Sequence, residues 1–147
     1  MERGYGDHGD FYAEFEAFVA GAAGRLLQLA ALLTAEPPAD AVAARRLLSA
    51  ALARTYADWR RLRGDDPYAV TRAELCTAFA RTAWRHHRGR GGVLAALSPQ
   101  ERLVLVLRVY EGVAEEQVAA LLGVPPDRVR ALHHRAATAL RAHRAAA

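Results

Sequence analysis

Residues 98–143, SPQERLVLVLRVYEGVAEEQVAALLGVPPDRVRALHHRAATALRAH, decide the fold class of this chain. Ser98 followed by Pro99, with Glu101 three positions after the serine, is typical of a helix start, because the serine and glutamate side chains can accept hydrogen bonds from free backbone amides. We predict a helix that begins there and ends at Gly112. Its apolar residues recur at spacings of three and four, which predicts one buried face: Leu103, Val106, Leu107 and Tyr110.

Two more helices are predicted in the same stretch. The first covers residues 115–122 and closes at Gly123, and the second opens at Pro125-Pro126 and runs to about His143. The inward positions of the second are Val129, Leu132, Ala136 and Leu140. Two helices joined by a turn that contains glycine, the second of them basic, are typical of a helix-turn-helix, which places its second helix in the major groove of DNA.

The last helix is the most basic part of the chain. From Asp127 onward there are five arginines and three histidines against a single acidic residue. Arginine is the side chain best matched to guanine and to phosphate. The alternative is that these charges only solvate the outer face of an amphipathic helix. We predict that the DNA contacts come from Arg128, Arg130, His133, His134, Arg135 and Arg141.

Composition favours a helical protein whose second half is basic. The 147 residues include no isoleucine and no lysine, and alanine is abundant, which favours helix over sheet. The net charge is +4, with the charges of residues 1–87 in balance and the excess in residues 88–147. This asymmetry indicates that the second half faces nucleic acid.

The first half is predicted to form three antiparallel helices in a small bundle. They cover residues 10–34, about 39–63 and 68–88, and proline-containing breaks at residues 37–38 and 65–67 separate them. The sequence therefore predicts an all-α protein. A glycine-rich segment follows the third helix, and we place the domain boundary there. The predicted units are a helical domain at 10–88, a short linker at 89–97 and a DNA-binding domain at 98–145.

Several classes of site are excluded by the residues present. The single cysteine, Cys76, cannot form an internal disulfide and is interpreted as a small buried side chain. His86-His87 and His133-His134 are adjacent pairs that point about 100° apart on a helix, so neither pair chelates a metal ion well. No nucleophile with a base and no phosphate-cradling loop is recognised. We therefore predict no catalytic residue, no metal, no cofactor and no enzyme activity.

The sequence shows no secretion signal, and no apolar run approaches the roughly 18 residues that span a bilayer. We expect a cytoplasmic protein without membrane insertion.

Residues 97–112, LSPQERLVLVLRVYEG, followed by VAALLGV at 118–124 and by Arg135-Ala136, resemble the region-four domain of extracytoplasmic-function (ECF) sigma factors. The segment ALARTYADWRRL at 51–62 looks like the region-two helix of the actinobacterial branch, and Asp66-Pro67 opens the next helix as in that branch. The resemblance covers nearly the whole chain. It implies a region-two-like bundle, a region-four-like helix-turn-helix, and promoter DNA and core RNA polymerase as partners.

The resemblance also implies roles for residues of the first half. Family members carry an acidic residue and then a Gln-Glu pair where this chain has Arg46, Ser49 and Ala50, and the resemblance assigns these positions, with Arg54, to polymerase binding. A base in place of an acid repels the surface that the acid attracts. At the positions for promoter melting the chain has Thr77, Thr82 and Ala83, which lack an aromatic ring. Trp84, one or two residues out of register, compensates for this loss, so the promoter-melting candidates are Thr77, Trp84 and Arg85.

Three functions are open on these grounds. The first is a sigma factor that binds promoter DNA and directs core polymerase to it. The second is a degenerate sigma-like protein that binds DNA as a regulator without recruiting polymerase, which the residues at 46, 49 and 50 and the short linker favour. The third is a protein-interaction module that docks to an anti-sigma factor, to another regulatory protein or to a copy of itself.

Overall fold

The computed structural model describes residues 5–62 and 64–146, with side chains from residue 9 onward, and every regular element in these residues is helical. The prediction of an all-α protein is confirmed. The α-helices are α1 (Tyr5–Thr34), α2 (Val42–Ala57), α3 (Pro67–Arg81), α4 (Pro99–Leu105), α5 (Glu115–Leu122) and α6 (Pro126–Ala146). Short 3-10 turns lie between α1 and α2 at Pro38–Asp40, between α2 and α3 at Trp59–Leu62, and after α3 at Ala83–His86.

The predicted ends of the second and third helices are wrong. The second stops at Ala57 rather than near residue 63, which lies outside the described residues, and the third stops at Arg81 rather than at Arg88. At the end of α3 the amide of Thr82 donates to the carbonyl of Phe79, so the chain tightens into a 3-10 turn. This turn stacks the ring of His86 on that of Phe79, with centroids 5.3 Å apart.

A carboxylate outside the helix determines where α2 begins. Glu36, only 6% exposed, accepts hydrogen bonds from the amides of Ala43 at 3.0 Å and Ala44 at 2.8 Å and from the hydroxyl of Thr34 at 2.7 Å. Burial alone would raise the pKa of Glu36, but these three hydrogen bonds lower it below the ordinary value. Glu36 therefore caps the start of α2, although it precedes the 3-10 turn that lies before this helix.

Segment 89–97 lies packed against the end of α1. The amides of Arg90 and Gly91 both donate to the carbonyl of Ala35, at 2.8 and 3.0 Å. A Cβ at Gly89 would lie 2.8 Å from the Cα of Ala95 and 2.9 Å from the Cβ of Ala35. Glycine is required at residue 89 because the two backbones approach so closely.

One hydrophobic core joins the two halves of the chain. Leu26, Leu29 and Leu33 of α1 lie in the same cluster of buried side chains as Phe79 of α3 and Leu107, which follows α4. Helix α1 packs against α2, α3 and α4, and α3 packs against α4 and α5. The three helices of the first half therefore share their interior with the helix-turn-helix.

Helix α1 also corrects a statement made from the sequence. Residues Gly9–Thr34 are long enough and apolar enough to cross a membrane by length and composition alone. The expectation that no apolar stretch approaches the length of a membrane span was therefore wrong, because isolated polar residues along α1 do not cancel its overall apolar character. The fully buried leucines of its second half account for part of that character.

A completely buried arginine connects three segments of the chain. Arg102 of α4 is 0% exposed, and its guanidinium donates from Nη1 to the carbonyl of Leu33 at 2.7 Å and from Nη2 to the carbonyl of His86 at 2.6 Å. Its Nε donates to the carbonyl of Leu97 at 3.1 Å. No ion pair with a carboxylate is formed by Arg102 in the described part of the chain, and burial lowers its pKa.

A buried carboxylate makes a second connection. The side chain of Glu111, 0% exposed, accepts from Nη2 of Arg25 at 2.8 Å and from the hydroxyl of Tyr68 at 2.5 Å, with Nη1 of Arg72 at 3.6 Å. Burial, followed by the hydrogen bond to Glu111, raises the pKa of Tyr68. Glu111 follows a π-helical turn at Val106–Tyr110, which continues α4. The carboxylate therefore joins α1 and α3 to the segment that enters the helix-turn-helix.

Replacing Arg102 with methionine is expected to lower the free energy of unfolding by about 3 kcal/mol or more, because three buried carbonyl groups lose their donor. Urea denaturation of the full chain measures this loss. Arg45→Met is the matched control, since Arg45 is exposed on α2, and it should change stability by less than about 0.5 kcal/mol. Equal effects of the two substitutions would contradict the role of Arg102.

The cap on α2 predicts a pH dependence of stability. Because the folded-state pKa of Glu36 lies below its ordinary value of 4.5, its contribution is fully present above pH 4.5 and is lost as the pH falls through the folded-state pKa. Glu36→Gln is expected to cost about 1 kcal/mol at pH 7, and the deficit should shrink in acid. Urea denaturation at pH 7 and in acid measures it, with Glu16→Gln, an exposed position, as control. A deficit that grows on acidification would disprove the assignment.

Candidate DNA-binding site

Helices α5 and α6 form the helix-turn-helix predicted from the sequence. Helix α5 ends at Gly123, which adopts a left-handed conformation with φ of 66° and donates its amide to the carbonyl of Ala119. That conformation is readily available to glycine, so the chain can reverse within three residues and start α6 at Pro126. Helix α6 continues past the predicted end at His143 to Ala146.

A buried stripe holds α6 against the rest of the protein. Val129, Leu132 and Ala136 are buried and belong to the common core together with Val118 and Ala119 of α5. Helix α6 packs on both α4 and α5. The fourth predicted inward residue, Leu140, is partly buried and packs against the same core. The opposite face of α6 therefore points to solvent with a rigid support behind it.

The predicted DNA contacts divide between two edges of the exposed face. Arg128 and Arg135 lie seven residues apart, two helical turns, along one edge. Arg130, His134 and Arg141 occupy the other edge, and all five side chains are exposed. The remaining candidate, His133, is less accessible than these five: it is half-buried, because it borders the inward stripe.

One of the candidate arginines is already engaged within the motif. The guanidinium of Arg130 donates from Nη2 to Oε2 of Glu115 at 3.0 Å and from Nε to Oε1 at 3.3 Å, while Nη1 lies 3.5 Å from Oδ1 of Asp127. The hydrogen bond to Glu115 is the largest cause of the raised pKa of Arg130. Arg130 therefore connects the starts of α5 and α6, a role that the sequence analysis missed.

The other arginines of α6 are free of such contacts. Within the described residues, neither Arg128 nor Arg135 forms an ion pair, and Nε of Arg141 donates to the carbonyl of Ala137 in its own helix, at 3.3 Å. Arg128 lies in the first turn of α6, which is the end of a recognition helix that approaches base edges. The free guanidinium groups can bind phosphate or guanine without first breaking an internal ion pair.

The four polymerase-binding candidates share one surface of α2. Arg46, Ser49, Ala50 and Arg54 are all exposed and follow one another at spacings of three, one and four residues. These spacings place them on one side of a helix. The buried residues of α2 lie on its other side: Ala44, Leu48, Ala51 and Thr55.

The promoter-melting candidates lie at the end of α3 and in the turn after it. Trp84 is 73% exposed, and the guanidinium of Arg85 lies over its ring, 5.0 Å from the centroid. Thr77 is half-buried on α3. Exposed aromatic rings beside a cation are suited to stacking on unpaired bases.

The residues interpreted as structural have structural surroundings. Cys76 is fully buried in the common core, and burial raises the pKa of its thiol to about 12, so it is not a reactive thiolate at neutral pH. Among the side chains of residues 9–62 and 64–146, no three of the metal-ligating types come together.

Comparison with known proteins points to one family. Residues 93–142 match the family model Sigma-70, region 4. The chain is 31% identical over 154 residues to the RNA polymerase sigma-E factor of Streptomyces coelicolor, an alignment that covers 87% of this chain and 84% of the relative. It is 31% identical over 160 residues to the sigma-E factor of Streptomyces avermitilis, covering 91% and 86%. No solved structure matches the chain.

Arg128→Ala is expected to weaken binding to duplex DNA and to lower the slope of log K against log salt concentration by about one, because one phosphate contact is lost. Arg135→Ala should act in the same way, since its guanidinium is equally unpaired. Fluorescence anisotropy with a labelled duplex at several salt concentrations measures both. The control is Arg45→Ala, which removes the same charge from α2. An unchanged slope for Arg128→Ala, or an equal decrease for the control, would rule out this contact.

Proposed function

Because this chain belongs to the RNA polymerase sigma factors of the extracytoplasmic-function type, we propose that it reads promoter DNA through α5 and α6 and directs core RNA polymerase to that DNA. It is a sigma-factor-like transcription regulator. The observation that carries the proposal is the exposed, basic face of α6, mounted on a buried stripe. The major groove admits a helix in this way and displays a distinct pattern for each base pair.

The DNA contact is assigned to the predicted residues in two groups. Arg128 and Arg135 bind without rearrangement, since their guanidinium groups form no ion pair among the described residues. Arg130 first has to leave Glu115, so its contact to DNA competes with the contact between the two helices of the motif. His134 and Arg141 lie on the same edge as Arg130 and extend the basic surface along the helix.

Core polymerase is assigned to the exposed surface of α2. The family resemblance places the contact at Arg46, Ser49, Ala50 and Arg54, and these four side chains share a solvent-facing side. Where relatives carry an acid, Arg46 brings a positive charge, which weakens any contact to a basic partner surface. Binding to core polymerase is therefore expected to be weaker than that of an ECF sigma factor with the acidic residue.

Promoter opening is assigned to the turn after α3. The indole of Trp84 is free to stack on an unpaired base, and Arg85 beside it can bind the adjoining phosphate. Thr77 contributes no aromatic surface.

The roles divide between two units of the chain. Residues 10–88 carry polymerase binding and promoter opening, residues 98–145 carry the DNA contact of α6, and residues 89–97 connect the two units. The protein acts in the cytoplasm, where bacterial transcription takes place, and no catalytic role is proposed for it.

A second candidate function is supported by the way the halves are joined. Arg102 and Glu111 connect the first three helices to the helix-turn-helix through buried hydrogen bonds. In this arrangement α6 faces the solvent and can bind DNA, while the buried hydrogen bonds keep the two halves of the chain together. Together with Arg46, this favours a regulator that binds a duplex and does not initiate transcription.

Copurification with core polymerase and run-off transcription from a promoter template test the proposal. We expect the chain to copurify with core enzyme and to support promoter-dependent transcripts, and the double variant Arg128→Ala/Arg135→Ala to lose the transcripts while it still copurifies. Arg46→Glu is expected to increase copurification, because the negative charge of the relatives is restored. The same pull-down will show whether an anti-sigma factor is a further partner.

Absence of both copurification and transcripts would refute the sigma-factor proposal. Specific binding to a duplex under those conditions would establish the second candidate, a regulator without initiation. Recovery of a regulatory protein alone, with no preference for any duplex, would instead support an interaction module.

A further inference from the structure

Two adjoining cavities lie on the side of the molecule where α2 meets the turn after α3. The first, of about 190 Å³, is bordered by Arg46 of α2, by Arg85 of the turn and by Arg88 and Arg90 of the segment that follows. The second, of about 290 Å³, shares Arg46 and Arg85 with the first and extends between α2 and α3. Together they reach the size of a site for a small molecule.

Positive charge exceeds negative charge in the lining of the first cavity, where four arginines stand against one carboxylate, that of Glu36. Its four arginines come from three separate segments, and none of them forms an ion pair within the described residues. Glu36 keeps its negative charge, but both of its carboxylate oxygens accept hydrogen bonds from Thr34 and from the start of α2 and so are not free to pair with these arginines. Like charges that converge on a concave space create a binding site for an anion.

The second cavity has a different character. Leu47, Ala50 and Ala78 line it, together with the polar side chains of Thr82 and His86. The small alanine side chains leave room for a flat group between the two helices. A basic cavity that opens into an apolar one matches a ligand with an anionic end and a flat, weakly polar end.

We propose that these two cavities form a single nucleotide-binding site, in which the arginines bind the phosphate groups and the apolar cavity holds the base. Guanidinium groups bind phosphate oxygens through paired hydrogen bonds, which suits several arginines around one diphosphate. The site is separate from the face of α6 assigned to DNA, but it shares Arg85 with the turn assigned to promoter opening, and Arg46 and Ala50 with the surface of α2 assigned to core polymerase. It also gives Arg46 a role other than polymerase binding.

The size of the cavities distinguishes a nucleotide from longer ligands. A base with its sugar and phosphates occupies a space of this order, whereas a nucleic-acid strand needs a groove that continues along its backbone. The arginines that line the first cavity come from α2, from the turn after α3 and from residues 88–90, rather than from successive turns of one helix.

Isothermal titration of the full chain with ADP, and with its two parts adenosine and inorganic pyrophosphate, tests the site. We expect ADP to bind at least tenfold more tightly than either part, because only the whole ligand uses both cavities. Arg46→Ala and Arg88→Ala should each weaken ADP binding by about tenfold, since each removes a charge-assisted hydrogen bond. Arg45→Ala, which removes the same charge from the neighbouring residue outside the cavities, should leave ADP binding unchanged.

A further variant separates the two cavities. Ala50→Phe places a ring at the apolar cavity from an exposed position of α2, where a larger side chain does not disturb the core. It is expected to weaken ADP binding about tenfold and to leave pyrophosphate binding unchanged. Circular dichroism and thermal denaturation of each variant establish that it is folded.

Three results would overturn the proposal. One is pyrophosphate binding as tightly as ADP, which would leave an anion site without a place for the base. Another is an equal loss of affinity in Arg45→Ala and Arg46→Ala, which would mean that only net charge matters. The third is displacement of ADP by a short single-stranded oligonucleotide that binds the same arginines more tightly, which would identify a groove for a strand.

Discussion

The guanidinium of Arg102, buried among three backbone carbonyl groups, is the interaction on which the arrangement of the helices depends. Leu33 lies in the last turn of α1, and His86 is the last residue of the 3-10 turn that follows α3. Both carbonyl groups are therefore among those that a helix end leaves without a partner. The negative end of the α1 dipole also favours a cation there. One side chain from α4 thus completes two helix ends and stays charged in the interior, with no carboxylate partner among the described residues. Any rearrangement that moves α4 away exposes these groups.

Glu111 acts at the other end of the same interface and with the opposite charge. Its carboxylate takes hydrogen bonds from Arg25 of α1 and Tyr68 of α3, so the segment between α4 and α5 is held to the first half. Removing one partner from such a buried group costs more than the contact contributes, because the other is left unpaired. Since α6 packs on α4 and α5, the orientation of the recognition helix relative to α2 follows from these two contacts. These buried contacts therefore connect the basic face of α6 to the surface of α2.

Local rules predicted the second half of the chain well and the first half less well. Ser98 and Glu101 form the expected capping box, and α5 ends at Gly123 as expected, because each signal acts within one turn of the helix. The end of α3 was not predicted because it depends on the 3-10 turn in which the carbonyl of His86 accepts a hydrogen bond from the distant Arg102. The cap on α2 was missed because Glu36 lies seven residues before Ala43. At the DNA-binding site, periodicity identified the outward side chains, but the pairing of Arg130 with Glu115 spans fifteen residues and has no local signal.

The sequence by itself determined the all-α class, the helix-turn-helix and the basic face of its last helix, because helix starts, helix ends and amphipathic faces depend on residues within a few positions of one another. Only the tertiary structure decided that Arg102 is interior rather than exposed, that residues 89–97 are docked rather than extended, and that four arginines from three segments line one cavity. These properties depend on contacts between residues far apart in the chain. Such contacts form when apolar faces are buried together, and the spacing of residues in one segment does not encode which distant segment will cover it.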